Sequence, residues 1–482
     1  MVLGPALFIL TLLFFRPEGL SSEGRAVLAS TLWVAAWWIT EAIPIPVTSL
    51  LPIVLFPLTG GLALDSTTEA FGHRMIFLYL GGFIIAIAIE KWNLHRRIAL
   101  NIIYRIGTNM SYIILGFMIA TAFLSMWISN TATAVMMLPI GMAIVSQLKN
   151  DAGTSQEITE YFSKALMLAI AYSASIGGIA TLIGTPPNLV LAAVVQEFYG
   201  VEITFSQWIA FGLPISAALL FICWRYLVQI AYPMKNITLP GGKAEIKGQL
   251  RALGPISYEE KMVLAVFILT ALAWISRSFL LQKIMPALDD TIIAIAGAIA
   301  LFLLPTKANR REKLINWEAA VALPWGIILL FGGGLALAAG FQDSGLAAWI
   351  GGQMAGLEGM ALILILLILV GTVNFLTEIT SNLATTSMIL PILAPMALTI
   401  GVHPYTLMVG ATVAASCAFM LPVATPPNAV VFGPGYLRIP DMARAGVWMN
   451  IISILLVSLA VYFLLPVLWG VDLGQFPEGF RK

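Results

Sequence analysis

Four short polar motifs interrupt the apolar segments of this chain, and each combines an asparagine with a hydroxyl residue. Two are Ser-Asn pairs at 129–130 and 381–382, and two are Thr-Pro-Pro-Asn sequences at 185–188 and 425–428. Adjacent prolines lack backbone donors and disfavour helix in the residue before them, so both Thr-Pro-Pro-Asn sequences predict a broken helix. A broken helix leaves carbonyls unpaired on one side of the gap and N–H groups unpaired on the other.

The chemistry of such breaks is ion binding. Free carbonyls, together with Ser, Thr and Asn oxygens, form a cage for a small hard cation, and free N–H groups at helix N-termini form an anion site. None of the four motifs contains Lys or Arg, so helix dipoles and co-bound cations must compensate the charge of a bound anion. The motifs together predict cation-coupled anion transport, whereas any one of them alone is equally typical of helix packing or a kink.

The four motifs belong to an internal repeat. A shift of 252 residues (129 to 381) aligns the Ser-Asn pairs, and a 12-residue deletion in the second half then aligns the Thr-Pro-Pro-Asn sequences. The matches are Gly81-Gly82-Phe83 with Gly333-Gly334-Leu335, Ser125 with Thr377, Leu138-Pro139-Ile140 with Leu390-Pro391-Ile392, and Gly184 with Ala424. Each half therefore has the same order of elements.

The composition places the chain in a membrane. Of its 482 residues, 60% are hydrophobic and 10% are Asp, Glu, Lys or Arg, whereas soluble proteins average about 45–50% apolar and about 25% charged residues. Soluble enzymes, nucleic-acid binders and disordered scaffolds are thereby excluded, and the sequence has no alternating segments of an outer-membrane barrel. The fold class is an all-α polytopic membrane protein.

The remaining signals are consistent with a transporter. The net charge is +1, and Cys223 and Cys417 lie in apolar runs as expected for small buried residues. The sequence contains no catalytic constellation, metal-ligand spacing or nucleotide-binding loop, so we expect no enzyme activity and no nucleic-acid partner. No continuous polar face follows any span, which disfavours a channel.

Hydropathy predicts eleven spans and two longer apolar segments. The spans are 2–15, 26–41, 44–60, 75–91, 163–183, 205–232, 259–279, 288–305, 317–341, 404–423 and 445–470. Segments 111–147 and 359–398 each carry a Ser-Asn pair near the middle and are predicted to be re-entrant hairpins. Two amphipathic stretches, 93–105 and 342–354, are predicted to lie along the membrane faces.

The positive-inside rule sets the orientation of these spans. With a cytoplasmic N-terminus, the inside loops hold Lys91, Arg96, Arg97, Arg105, Lys149, Lys164, Lys235, Lys243, Lys247, Arg251, Lys307, Arg310, Arg311, Lys313, Arg438 and Arg444. The outside loops hold Asp65, Glu69, Glu197, Glu202, Asp289, Asp290 and Asp343. The first hairpin then opens from the cytoplasm and the second from outside, which predicts an inverted-repeat secondary transporter with its C-terminus outside.

At these motifs the sequence resembles the divalent anion:sodium symporter family. The resemblance rests on Ser129-Asn130-Thr131, Ser381-Asn382-Leu383, both Thr-Pro-Pro-Asn sequences and the stretch Thr40-Glu41-Ala42-Ile43-Pro44. It implies a homodimer in the bacterial inner membrane that works by an elevator motion. Scaffold segments would be 1–107 and 259–356, transport-domain segments 108–232 and 357–482, and the cytoplasmic linker 233–258.

The resemblance also implies the residues of the binding sites. The sodium ligands would be Ser125, Ser129, Asn130, Gly184, Thr377, Thr380, Asn382 and Ala424. The substrate would meet Asn130, Thr131, Ser381, Asn382, Leu383, Thr185, Pro186, Thr425 and Pro426. The second hairpin departs from the family pattern, because Leu383 stands where dicarboxylate members usually have threonine.

The function implied is sodium-coupled import of four- to five-carbon dicarboxylates such as succinate, malate or fumarate. Sodium is the coupling ion and no organic cofactor is expected. A sodium-independent dicarboxylate exchanger and a citrate or sulfate carrier on the same fold stay open. Glu41 and Glu378 are further candidates for a transport role, and we expect His403 to be solvated near the outer face.

Overall fold

The computed structural model describes residues 1–107, 109–149, 155–234, 242–353 and 359–480. Its regular structure is helical, apart from an isolated bridge between Pro305 and Lys313. The helices of the first half are α1 (Leu3–Phe14), α2 (Ser22–Thr40), α3 (Ile45–Thr48), α4 (Leu51–Thr59), α5 (Leu64–Glu69), α6 (Arg74–Lys91), α7 (Leu94–Ile106), α8 (Met110–Ser125), α9 (Asn130–Lys149), α10 (Gln156–Ile179), α11 (Pro186–Tyr199) and α12 (Phe205–Tyr226).

The second half repeats this order after a short polar helix. The helices are α13 (Gly242–Ala252), α14 (Tyr258–Ser276), α15 (Gln282–Ile284), α16 (Asp290–Leu303), α17 (Trp317–Ala320), α18 (Trp325–Asp343), α19 (Leu346–Gln353), α20 (Leu362–Leu376), α21 (Asn382–Thr399), α22 (Pro404–Ala415), α23 (Pro426–Phe432), α24 (Ile439–Leu459) and α25 (Leu465–Trp469). Short π-helical turns at Leu227–Ala231, Arg277–Leu281 and Ala460–Leu464 extend α12, α14 and α24.

Eight helical runs in the described residues are long and apolar enough to cross a membrane, and six shorter apolar helices accompany them. The shorter ones include α8, α20 and α22, which end at the predicted breaks. The fold is therefore an all-helical membrane fold, and the predicted amphipathic stretches form helices α7 and α19.

Two predicted spans differ from the structure because of proline. The span 44–60 is divided into α3 and α4, since Pro52 has no N–H for the Thr48 carbonyl. The span 317–341 begins only at Trp325, after Pro324, and the residues before it form the separate one-turn helix α17. The remaining spans agree with helices to within a few residues at most ends.

The hairpins and broken helices lie where the motifs predict them. The α8–α9 pair turns at 126–129 and the α20–α21 pair at 377–381, while 180–185 separates α10 from α11 and 416–425 separates α22 from α23. The first hairpin approaches its broken helix at Gly177, where a Cβ would come within 2.5 Å of the Ala122 Cα. Only glycine permits this approach, which brings the hairpin turn to the gap.

Candidate functional site

The first candidate cation site lies where the α8–α9 turn meets the gap after α10. Ser125 Oγ donates to the Ala174 carbonyl at 2.7 Å and lies 2.5 Å from the Asn130 amide. The same end of that amide is 3.2 Å from the Ala174 carbonyl oxygen and 3.3 Å from the Gly184 carbonyl oxygen. One hydroxyl, two carbonyls and one side-chain amide thus converge on a single point.

The orientation of the Asn130 amide determines what this cluster does. With its nitrogen turned inward, the amide donates hydrogen bonds to Ser125 Oγ and to the Ala174 and Gly184 carbonyls. With its oxygen turned inward, four oxygens face each other, which is favourable only around a cation. The residues present therefore fit a sodium ion, with oxygen ligands and no charged side chain.

The second candidate cation site repeats this geometry in the other half. Thr377 Oγ1 lies 2.7 Å from Asn382 Oδ1 and 3.0 Å from the Ala415 carbonyl oxygen. Asn382 is the first residue of α21, as Asn130 is of α9. Ala424, the counterpart of Gly184, is buried in the gap between α22 and α23. The predicted pairs Ser125–Asn130 and Thr377–Asn382 are thus brought together.

The helices that begin at the motifs pack against each other across the two halves. Helix α9 packs against α23, and α11 packs against α21, so each hairpin contacts the broken helix of the opposite half. Thr185 and Thr425 are the N-cap residues before α11 and α23, with Pro186 and Pro426 in the first turn. These prolines have no N–H, so the groups that suit an anion are the two threonine hydroxyls and the N–H groups at the starts of α9 and α21.

Asn188 and Asn428 were left out of the predicted ligands, although the motifs contain them. Asn188 Nδ2 donates to the Thr181 carbonyl at 2.7 Å, and Asn428 Nδ2 donates to the Leu421 carbonyl at 3.0 Å. Each amide therefore satisfies a carbonyl of its own gap with a hydrogen bond. Within the described residues both Oδ1 atoms are buried without a hydrogen-bond partner, so each is available as a further cation ligand.

The other predicted residues surround the sites at varying distance. Ser129 and Thr131 are half-buried in the first turn, and the Ser129 carbonyl accepts the Thr133 N–H. Ser381 is the half-buried N-cap of α21. The Thr380 hydroxyl bonds to Thr385 Oγ1 at 2.5 Å and to the Leu376 carbonyl, so it faces its own hairpin.

Leu383 and His403 lie in the interior. The Leu383 side chain is 4% exposed and belongs to the apolar core, so only its backbone is placed to meet a substrate. His403 is also 4% exposed, and its Nδ1 accepts the Tyr405 N–H at the start of α22. The expectation that His403 is solvated was therefore wrong, because the ring serves as a buried helix cap.

The two halves differ in exposure at equivalent positions. Ala132 and Val135 of the first hairpin line an open pocket of about 300 Å³, together with Asn93 and His95, whereas their counterparts Ala384 and Ser387 are fully buried. The site therefore opens beside the start of α7. Equivalent positions of the two hairpins therefore have different surroundings.

Comparison with known proteins identifies the family. The model of the sodium:sulfate symporter transmembrane region matches residues 1–471. The chain belongs to this family. The sodium-dependent dicarboxylate transporters SdcS of Staphylococcus aureus strains bovine RF122 / ET3-1 and USA300 are each 50% identical to this symporter-family chain over 480 residues, covering 98% of it and 92% of the relative.

Two solved structures share the fold of this symporter-family chain. MtrF of Neisseria gonorrhoeae, described within a class of antimetabolite efflux pumps, has a TM-score of 0.57 at 13% identity and covers 95% of this chain and 98% of its own. The Alcanivorax borkumensis YdaH transporter has a TM-score of 0.56 at 14% identity, covering 93% and 98%. The family resemblance of the motifs is thus confirmed, and the chain is a membrane transporter rather than an enzyme.

Proposed function

We propose that this protein imports four- and five-carbon dicarboxylates such as succinate, malate and fumarate by sodium-coupled symport. The observation that carries the proposal is the pair of equivalent oxygen clusters at Ser125–Asn130 and Thr377–Asn382, set beside helix N-termini. The printed function of the SdcS relatives, sodium-dependent dicarboxylate transport, supports both the ion and the substrate class.

In this proposal the two sodium ions bind the two oxygen clusters. Sodium ligands come from the side chains of Ser125, Asn130, Thr377 and Asn382 and from backbone near Gly184, with further predicted ligands at Ser129, Thr380 and Ala424. The dicarboxylate lies between the hairpins and meets helix starts at Asn130, Thr131, Ser381, Asn382, Leu383, Thr185, Pro186, Thr425 and Pro426. The sodium charges compensate the two carboxylates, because the motifs themselves contain no cationic side chain.

The finer architecture is part of the proposal. Eleven spans and two re-entrant hairpins would form scaffold segments 1–107 and 259–356 and transport segments 108–232 and 357–482, joined by linker 233–258. An elevator motion is supported by unequal packing of repeat partners. Ile183 is 7% exposed and meets the α6 position Gly82, whereas its counterpart Val423 is 81% exposed.

The predicted orientation in the inner membrane is supported by ion pairs between helix ends. Arg97 pairs with Glu260 at 2.7 Å and Lys164 with Asp441 at 3.0 Å, and all four residues lie on the predicted cytoplasmic side. Lipid surrounds the spans in this arrangement, with the N-terminus cytoplasmic and the C-terminus outside. A homodimer through the scaffold follows from the family resemblance.

Uptake into proteoliposomes tests the substrate and the alternatives together. Purified protein should take up labelled succinate in sodium but not in choline, and without succinate inside. A requirement for internal succinate, independent of sodium, would establish the exchanger. Unlabelled malate and fumarate should compete with succinate, and stronger competition by citrate or sulfate would assign the protein to the other carriers of this fold.

A further inference from the structure

Glu378 occupies a closed pocket of hydrogen-bond donors beside the second cation site. Its side chain is 3% exposed in the turn between α20 and α21. Oε1 accepts the N–H groups of Phe419 at 2.7 Å and Met420 at 2.9 Å, and Oε2 accepts that of Leu421 at 3.1 Å. Asn450 Nδ2 of α24 donates to Oε1 at 2.8 Å. All four partners are donors, as suits an ionised carboxylate.

These three N–H groups are free because α22 ends one turn earlier than its repeat partner. Helix α10 continues to Ile179, the counterpart of Phe419, whereas α22 stops at Ala415. The Glu378 carboxylate accepts the N–H groups that helical carbonyls would otherwise accept. Position 126, the counterpart of Glu378, is a methionine. In the first half the hairpin turn is joined to the gap by the Thr181 hydroxyl, which donates to the Met126 carbonyl.

The early end of α22 supplies acceptors to the second gap. The Ala415 carbonyl lies 3.0 Å from Thr377 Oγ1, and the Cys417 carbonyl accepts Asn374 Nδ2 at 2.6 Å. Asn428 Nδ2 donates to the Leu421 carbonyl, whose own N–H bonds Glu378. The positions of these oxygens therefore depend on the carboxylate.

Helix α24 closes the pocket from the other side. A Cβ at Gly446 would collide with the Phe419 carbonyl and lie 2.5 Å from the Met420 Cα, so the gap and α24 touch at backbone distance. Ser453 Oγ donates to the Asn450 carbonyl and accepts from Asn374. Donors from two elements, the gap at 416–425 and helix α24, thus hold the carboxylate, and it cannot turn away to solvent.

We propose that Glu378 is a positioning residue that makes the two sodium sites unequal. It holds the second gap open and places a fixed negative charge beside Thr377, so the second site binds sodium more tightly than the first. An unscreened charge at low dielectric acts strongly on a nearby cation, and position 126 offers none. This proposal rests on the proposed sodium coupling. It adds that the second sodium site fills before the first.

The test is the sodium dependence of succinate uptake in Glu378→Gln protein, with Met126→Gln as the matched control in the other half. We expect the half-saturating sodium concentration to rise about tenfold in Glu378→Gln, with the succinate half-saturation at saturating sodium unchanged. The control should keep the wild-type sodium dependence. The exchanged pair Glu378→Gln with Asn450→Asp returns the charge to the same pocket and should restore the sodium dependence.

The outcomes separate this inference from the proposed function. If wild-type uptake ignores sodium, the proposed function fails; if wild type needs sodium and folded Glu378→Gln protein shows the same sodium dependence, the inference alone is overturned. If the double variant Glu378→Gln with Asn450→Asp still needs more sodium than wild type, the negative charge is not what strengthens sodium binding. If Glu378→Gln protein does not fold, Asn450→Ala replaces it in the test, because this variant removes only one of the four donors to the carboxylate. An unchanged sodium dependence in Asn450→Ala protein also overturns the inference.

Discussion

In the proposed function, Asn130 and Asn382 contact both the cation and the anion. Each begins a helix, so its backbone lies at a helix N-terminus, while its side chain faces a hydroxyl and a carbonyl. The Asn130 amide can present nitrogen to close the cluster or oxygen to hold a cation. In the proposed function, turning of this amide would connect sodium binding to the hairpin turn that is predicted to contact the substrate.

Alanine at either position should abolish transport. The substitution removes the side-chain amide oxygen that completes the proposed cation cluster, so we expect uptake to fall about 100-fold in Asn130→Ala and in Asn382→Ala. Both variants should still elute as folded protein in detergent. Asn101→Ala, which removes an amide bonded only within α7, is the control. Substantial uptake by Asn130→Ala or Asn382→Ala protein at saturating sodium would contradict the assignment of these residues to the binding site.

Leu383 and Thr131 are repeat partners with different surroundings. Leu383 is buried in the apolar core, whereas Thr131 is half-buried at the first turn. Leu383→Thr should therefore destabilise the protein by about 1–3 kcal/mol without improving succinate affinity, since it buries a hydroxyl and opens a cavity. Thr131→Ala should weaken succinate binding at unchanged thermal stability. Tighter succinate binding by Leu383→Thr in a competition assay would show that position 383 faces the substrate.

The residues at the hairpin turns and helix breaks could be identified from the sequence, but not all of the contacts that their side chains make. Ser-Asn and Pro-Pro are strong local signals, so their positions followed from the chain alone. The burial of Leu383 and the partners of Glu378 depend on α22 and α24, which lie far away in sequence. Asn188 and Asn428 were visible in the motifs, but their bonds across the gap required the fold.

Among the elements, the packing of the hairpins and broken helices indicates which surfaces would exchange under the proposed elevator motion. Gly82 on α6 contacts Ile183, while its counterpart Gly334 on α18 is pressed against Ser387 of the second hairpin. The counterpart of Ser387 is Val135, which is 52% exposed. Exchanging the roles of the two halves therefore brings Gly82 to Val135 in the opposite state.

Cysteine pairs that share position 82 test this exchange. In protein with Cys223 and Cys417 replaced by alanine, Gly82→Cys with Ile183→Cys should cross-link in the present arrangement. Gly82→Cys with Val135→Cys should cross-link only when the site opens to the other side, and cross-linking should stop transport. Cross-linking is measured by mass shift with and without sodium and succinate. If both pairs cross-link equally under all these conditions, position 82 does not alternate between the two partners.

The start of α22 gives a pH-dependent stability. Burial lowers the pKa of His403 to about 4, an effect that nearby Asp472 opposes. The neutral ring caps α22, whereas an unfolded histidine takes up a proton near pH 6.5. The stabilisation is therefore complete above about pH 6.5 and is lost as pH falls toward 4. His403→Asn keeps a capping oxygen without titrating, and its thermal unfolding temperature should fall less over this range; equal slopes would contradict the assignment.

Element boundaries could be predicted where the local signal was strong. Pro-Pro and Ser-Asn set both gaps and both turns, but α22 ends at Ala415, eight residues before the predicted end of that span at 423, and Glu378 accepts the N–H groups of 419–421 that this end leaves free. Single prolines at 52 and 324 divided helices that apolar composition alone predicted to be continuous. Hydropathy reports burial in lipid and gives little information on these interruptions.

For the whole molecule, the repeat joins two half-sites into one transporter. Each hairpin packs against the broken helix of the other half, so in the proposed function an anion between them would contact both halves while each sodium would be held by one. Neither half would form a complete site alone, so sodium binding and substrate binding would be coupled. Sodium coupling, rather than exchange, is the central claim that follows.

The most direct measurement is the steady-state accumulation of labelled succinate in proteoliposomes as the external sodium concentration is varied. Wild-type protein should concentrate succinate above the external level under an inward sodium gradient and lose that accumulation when sodium is equal on both sides. Ser125→Ala and Thr377→Val should require more sodium, because each removes a cage hydroxyl, and Thr377→Ser should behave as wild type. Concentrative uptake that persists without a sodium gradient, or cage variants with unchanged sodium dependence, would contradict the account.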